Sequence, residues 1–406
     1  MNNFEFSNHT VVVFGKDTEL SVGERIAELS PAKRVLLVHY GDGVIEKMGL
    51  YDRVAGSLAQ SGVEIVDFSG VQPNPTLGTV RRGIEKAKAG KVDCILGVGG
   101  GSVIDTCKAI SAGMNLTSCD LWDLYTQNVA PSAPDYVHQG GLVFRLPKAV
   151  PIGVISTMAA SGSETSWGSV ITNEATSEKL DIDCADLRPR FAILNPALTV
   201  GIPPFLSACG ILDVVAHVFE NYFCANWNND MTDRLCEALM KTTILNGRKV
   251  MADPADVDAR GEVMFAAATA LNGFIASGRA ADWAMHFIDH EIGGQYNITH
   301  AAGLATIIPA WMKYCHGADI SRFVQYGVRV WDVDMQYGDS EAIALEAIRR
   351  TEDFIKELGL KTRLSDLGIG DDRFDLIAEK CTKNGPMGSF RKLYKEDVMA
   401  ILSMAL

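Results

Sequence analysis

Alternation constrains this sequence more than any other feature. Up to about residue 200, short apolar runs that stop at glycine take turns with segments of helical period. "KRVLLVHYGDG" (33–43) reads as a buried strand and "LYDRVAGSLAQSG" (50–62) as a helix ended by glycine. "VEIVDFSG" (63–70) is a second strand, "TLGTVRRGIEKAKAGK" (76–91) a helix, and "VDCILGVGGG" (92–101) a third strand. "AVPIGVIST" (149–157) and "FAILNP" (191–196) follow as further strands. A strand that returns through a helix to the next strand has to lie parallel to it, so these elements imply a wound parallel sheet.

Past residue 200 the period changes. Segments 207–225, 231–249, 259–277, 279–293, 318–334, 340–358 and 372–382 repeat apolar residues at helical spacing, and strand signals nearly vanish. A chain of 406 residues exceeds one ordinary hydrophobic core. The fold class is therefore α/β plus all-α. An α/β domain is expected over 1–196 and an all-helical domain over 197–406, joined near the proline-bearing "NPALTVGIPP" (195–204). The polar stretch "YTQNVAPSAPDYVHQGG" (125–141) reads as an extended loop or excursion.

Composition removes several functions. The net charge is -13, which disfavours nucleic acid and anionic membrane surfaces as partners, since both need a basic face. No apolar run reaches the roughly 18 residues of a membrane span. Nine cysteines without a CxxC pair read as reduced thiols in a cytoplasmic protein.

Two loops at strand ends suit a phosphate. In "GVGGGSVIDTCKAI" (97–110), Gly99, Gly100 and Gly101 allow close backbone approach, Ser102 offers a hydroxyl, and the helix start presents N–H groups to an anion. "STMAASGSET" (156–165) follows another strand with Thr157, Ser161 and Ser163. Ligands of wound sheets bind at such ends.

A second constellation suits a metal. Asp213 and His217 lie four apart in "GILDVVAHVFENYF", as do His286 and His290 in "ADWAMHFIDHEIG"; His300 follows in "NITHAAG". An i, i+4 pair shares one helix face. A carboxylate with imidazoles suits Fe²⁺ or Zn²⁺. Spacing leaves five candidate ligands and does not select among them.

With these motifs in place, the chain resembles the iron-containing (group III) alcohol dehydrogenases, closest to their butanol dehydrogenase and aldehyde reductase branch. "GVQPNPT" (70–76), "GVGGGSVIDTCKAI", "SGSET", "FAILNP", "GILDVVAHVFE", "ADWAMHFIDHE", "FVQYGVRVW" (323–331) and "TRLSDLGI" (362–369) stand in that family's order. The resemblance implies a dehydroquinate synthase-like fold, with a Rossmann-like dinucleotide-binding domain and a helical metal-binding domain. It implies Asp213, His217, His286 and His300 as ligands of Fe²⁺ or Zn²⁺, and His290 as the residue that meets the substrate and moves a proton. The dinucleotide contacts it implies are Gly41, Gly99, Gly100, Gly101, Ser102, Asp105, Thr157, Ser161 and Lys179. NADP(H) or NAD(H) is the expected cofactor. Gly41 leans towards NADP(H), whereas Asp42 and Glu46, standing where NADP-using relatives carry hydroxyl and basic groups, oppose a 2′-phosphate. The implied activity is hydride transfer between the nicotinamide and short- to medium-chain alcohols or aldehydes, in a homodimer. A glycerol dehydrogenase- or dehydroquinate synthase-like reaction on the same scaffold is the alternative.

Overall fold

The structure, a computed structural model, describes every residue except 131–132, 140–141 and 226–228. It divides into two compact units, Asn8–Thr199 and Val200–Leu406, the latter joined by Met1–Ser7.

The first unit carries ten strands among the described residues: β1 (Val11–Phe14), β2 (Arg34–Tyr40), β3 (Glu64–Val71), β4 (Cys94–Gly99), β5 (Val137–Gln139), β6 (Leu142–Arg145), β7 (Ile152–Ser156), β8 (Gly168–Asn173), β9 (Glu178–Asp183) and β10 (Phe191–Leu194). Six of them form one parallel sheet in the order β1-β10-β7-β4-β2-β3. The unbroken apolar runs are the central strands. Val35, Leu36, Leu37 and Val38 of β2 have no exposed surface, and β4 is buried throughout, as a sheet covered on both faces requires. The chain leaves β2 for β3 on one side and then crosses to β4 on the other. The direction of winding thus reverses between β2 and β4, which opens a crevice at their carboxyl ends.

Residues 125–141, expected as an extended loop, are more ordered than that where they are described. The helix Leu121–Thr126 takes their start, capped by Asp120, and β5 pairs antiparallel with β6. Residues 131–132 and 140–141 of the stretch lie outside the described residues. The base of the excursion is pinned by buried Asp135, which accepts from Thr117 N (2.8 Å), Thr117 Oγ1 (2.7 Å), Ser118 N (3.0 Å) and Lys148 Nζ (3.0 Å). These donors, Thr117 foremost, hold its carboxyl well below the usual range. A second antiparallel pair, β8 with β9, follows the second loop.

The second unit is helical. Its helices are Pro204–Tyr222, Asp230–Ala252, Val257–Ala270, Ala284–Tyr296, His300–Cys315, Ile320–Val330, Ser340–Glu357, Phe374–Cys381 and Lys395–Ala405. The helix expected over 259–277 stops at Ala270, and the one expected from 279 begins at Ala284. A buried Asp233 anchors the bundle, accepting from Arg279 (2.9 Å) and from both terminal nitrogens of Arg322 (2.5 and 2.7 Å). Burial pushes this carboxyl up, but the two guanidinium groups hold it below its ordinary value. Arg322 also donates to the Tyr222 C=O (2.9 and 2.6 Å), which fixes the end of the helix that carries Asp213 and His217. No helix among the described residues is long and apolar enough to cross a membrane.

Candidate active site

Proline at the first turn starts the helix Pro204–Tyr222, and its residues from Ala208 onward are buried. Asp213, His217 and Glu220 recur on it at i, i+4 and i+7, so they share a face. The helix Ala284–Tyr296 begins after Trp283, whose backbone is left-handed (φ 61°). That turn is tied to the first helix by Asp282 N–H, which donates to the Glu220 C=O (2.8 Å). Asp282 Oδ2 accepts from the N–H groups of Ser389 and Phe390 (2.7 Å each), so the unusual backbone is held from both sides.

Asp213, His286 and His300 each place one donor atom so that all three lie within 4.8 Å of one another. His300 Nε2 is 3.5 Å from Asp213 Oδ1, and His217 Nδ1 is 3.6 Å from that same oxygen. His217 falls outside the tightest group, but its ring centroid lies 4.6 Å from that of His286. His290 stands aside as well, with ring centroids 5.6 Å from His300 and 6.4 Å from His286. Burial pushes the His217 imidazole down to about 4, so at neutral pH it carries the uncharged ring that a metal requires.

Two carboxylates that the sequence reading passed over orient the imidazoles. Glu220 Oε1 accepts from His286 Nδ1 (2.7 Å) and from the His286 N–H (3.0 Å). Asp289 Oδ2 accepts from His300 Nδ1. Each contact fixes the ring tautomer and leaves Nε2 as the ligating nitrogen, which is how carboxylates support metal-bound histidines. Their signal in the sequence is spacing alone: Glu220 is three residues past His217, and Asp289 three past His286. The site fits a divalent cation on this structure's own terms. Asp213 Oδ1, which belongs to the cluster, and His217 Nδ1, 3.6 Å from it, are buried without a hydrogen-bond partner. Burial pushes the Glu220 carboxyl up to about 8, a cost that a nearby cation would offset.

In the first unit, the glycine turn closes β4 and opens the helix Gly101–Met114, with Gly100 at the N-cap. Each glycine answers a close neighbour. An added Cβ at Gly101 would come within 2.6 Å of Ser161 Oγ, and one at Gly100 within 3.2 Å of Tyr40 Oη. Gly41 backs directly onto Gly70, whose Cα an added Cβ would meet at 2.8 Å. The two loops touch, since Thr157 N–H donates to the Gly99 C=O (3.1 Å). Tyr40, absent from the expected set, sets its hydroxyl against Gly100 N–H and Ser102; burial pushes that phenol up to about 12.

Two expected contacts sit differently from the rest. Both Asp105 oxygens face protein donors, Ser163 Oγ (2.6 Å) and Val170 N (3.2 Å). Lys179 lies inside β9 and donates to Asn74 Oδ1 (3.2 Å).

A wound parallel sheet with a glycine turn at its switch point, and a helical unit with a carboxylate–imidazole cluster, define a class of dehydrogenase. Residues 9–196 match the iron-containing alcohol dehydrogenase family, and residues 207–406 match the C-terminal region of the same family. The chain belongs to the iron-containing alcohol dehydrogenases, and it is an oxidoreductase. It is 38% identical over 406 residues to a probable NADH-dependent butanol dehydrogenase 1 of Bacillus subtilis, covering 100% of each chain. It is 33% identical to the NADPH-dependent aldehyde reductase YqhD of Escherichia coli, covering 95% of this chain and 94% of that one. The solved structure of NADH-dependent butanol dehydrogenase A from Thermotoga maritima superposes with a TM-score of 0.90 at 33% identity, covering 100% of this chain and 99% of that one.

Proposed function

We propose that this chain interconverts short- to medium-chain aldehydes and primary alcohols, with butanal and butanol as representative substrates. The observation that carries the reading is the convergence of Asp213, His286 and His300 within 4.8 Å, with both imidazoles backed by carboxylates. Asp213, His217, His286 and His300 would hold a divalent cation, Fe²⁺ first and Zn²⁺ second. Such a cation supplies Lewis-acid polarisation of a substrate oxygen, and a bound reduced nicotinamide supplies hydride. The chain's own residues do the remaining work. Glu220 and Asp289 keep the imidazoles aimed, and Asp213 brings the compensating charge. His290, half-buried beside His300, passes a proton to or from the substrate oxygen. Gly99, Gly100, Gly101 and Ser102 receive the diphosphate, with Thr157 and Ser161 on its other side.

NAD(H) is the proposed cofactor. Asp42 and Glu46 follow the carboxyl end of β2, where a 2′-phosphate would need basic or hydroxyl partners. Two relatives at 37–38% identity are named NADH-dependent, which supports the same choice. A homodimer in the cytoplasm completes the proposal. β1 pairs on one side only among the described residues, and Val11, Val12 and Phe14 are exposed along it, which supports a second copy there. The test is paired turnover of butanal with NADH and with NADPH, alongside glycerol oxidation. Butanal reduction with a higher kcat/KM for NADH is expected. Turnover of glycerol but not butanal would move the assignment to the alternative on this scaffold.

A further inference from the structure

The helix Gly101–Met114 carries a lysine with no exposed surface. Lys108 Nζ donates to Ser163 Oγ (2.8 Å), Ser166 Oγ (3.1 Å) and the Gly168 C=O (2.7 Å), which uses all three donors of an ammonium group. One turn earlier on the same helix, Asp105 Oδ1 accepts from Ser163 Oγ (2.6 Å), Asp105 Oδ2 from Val170 N (3.2 Å), and the Asp105 C=O from Ser169 Oγ (2.9 Å). The two side chains therefore clamp residues 163–170 onto the helix that begins at the glycine turn.

The clamp extends to the turn itself. Ser163 N–H donates to Ser161 Oγ (3.3 Å). Ser161 Oγ in turn rests 2.6 Å from where a Gly101 Cβ would be. A chain of contacts thus runs from the buried ammonium through Ser163 to the hydroxyl that faces the diphosphate turn. Stability alone is a poor reason for such a lysine, because well-packed apolar residues commonly replace a buried ion pair without loss. What the ammonium offers over a methylene chain is three directed hydrogen bonds that fix one loop geometry.

We infer that Lys108 is a positioning residue for dinucleotide binding: acting through Ser163, it sets loop 156–165 against the glycine turn so that both face one diphosphate. The inference rests on the reading of these two loops as the cofactor site. It goes beyond that reading by giving a role to a side chain that touches no ligand.

The experiment measures the Kd of NADH in the binary complex by nicotinamide fluorescence, with metal content as a parallel readout. The proteins are wild type, Ser161→Ala, Ser163→Ala, Lys108→Met, and the doubles that join Ser161→Ala to each of the others. Ser161→Ala and Ser163→Ala are each expected to raise Kd roughly fivefold, the scale of one neutral hydrogen bond. Lys108→Met is expected to raise it more, with metal content unchanged. Each double is expected to bind no worse than its Ser163 or Lys108 parent, because Ser161 is already misplaced there. Additive losses, which independent sites give, would overturn the positioning role. If Lys108→Met does not fold, Lys108→Gln, which keeps a donor at that depth but fewer directed hydrogen bonds, takes its place in the cycle with Ser161→Ala. An unchanged Kd in Ser161→Ala would overturn the loop reading itself. A loss in Ser161→Ala with none in Ser163→Ala or Lys108→Met would leave that reading standing and remove the inference.

Discussion

Gly303→Ala should weaken metal binding without touching a ligand. Gly303 lies in the first turn of the helix His300–Cys315, where alanine is the better helix former by up to about 1 kcal/mol. Local propensity alone would make the substitution stabilising. Packing says otherwise: the added methyl would lie 1.8 Å from Asp289 Oδ1, 3.1 Å from its Cγ and 3.0 Å from Ile298 Cδ1. A relaxed C···O contact needs about 3.3 Å, so roughly 1.5 Å of separation has to be found. Asp289 has no exposed surface, and its other oxygen holds His300 Nδ1, so retreat of the carboxylate takes the His300 ring with it. Loss of such an orienting contact costs on the order of 10- to 100-fold in metal affinity. The assay is competition with a chelator, alongside thermal unfolding of the metal-free protein. Asp289→Asn, which keeps the shape and weakens the acceptor, is expected to lower affinity in the same direction. Gly303→Ala protein with affinity within about twofold of wild type would refute the argument that Asp289 orients His300.

Two further outcomes test the physics elsewhere. Gly56 sits exposed in the helix Leu50–Gln60 with nothing within 4 Å of an added Cβ, so Gly56→Ala is expected to raise stability by up to about 1 kcal/mol in urea unfolding. Glu346 is held at about 2 by its hydrogen bonds with Arg349 and then Arg350, and by the Arg349 charge, against a weaker push from burial. A carboxylate depressed in the folded state adds stability above its unfolded pKa, and that stability is lost as pH falls from about 4.5 towards 2. Glu346→Gln should therefore lower Tm at pH 7 and approach wild type near pH 3. A difference that grows on acidification would contradict the ion-pair explanation.

The central strands were legible because a buried parallel strand has to be apolar on both faces, and β2 and β4 announce this in unbroken runs closed by glycine. β1 is also an apolar run closed by glycine, but at four residues it is too short for periodicity to mark, and on the sheet edge Val11, Val12 and Phe14 stay exposed. The β8–β9 pair is not legible for a related reason: its residues are mixed in polarity, so no apolar run marks either strand. In the helical unit, periodicity located the helices other than His300–Cys315 and Lys395–Ala405, and it overran at 259–277, because the apolar residues continue past Ala270 into turns. At the cluster, i, i+4 spacing singled out Asp213, His217, His286 and His290, and the resemblance separated His290 from the ligands. Glu220 and Asp289 escaped notice because a carboxylate on a helix reads as a solvated group. Only the tertiary approach of two helices and the turn at His300 shows that each meets an imidazole. Lys108 escaped for the same reason, as a lysine that no pattern marks as buried.

The most direct measurement is butanal-dependent oxidation of NADH by protein stripped of metal, before and after return of Fe²⁺ or Zn²⁺, in wild type and in His300→Ala. The expected result is activity that disappears on stripping and returns on addition in wild type, with no return in His300→Ala. Full turnover by the stripped wild-type protein would contradict a metal centre built on Asp213, His286 and His300.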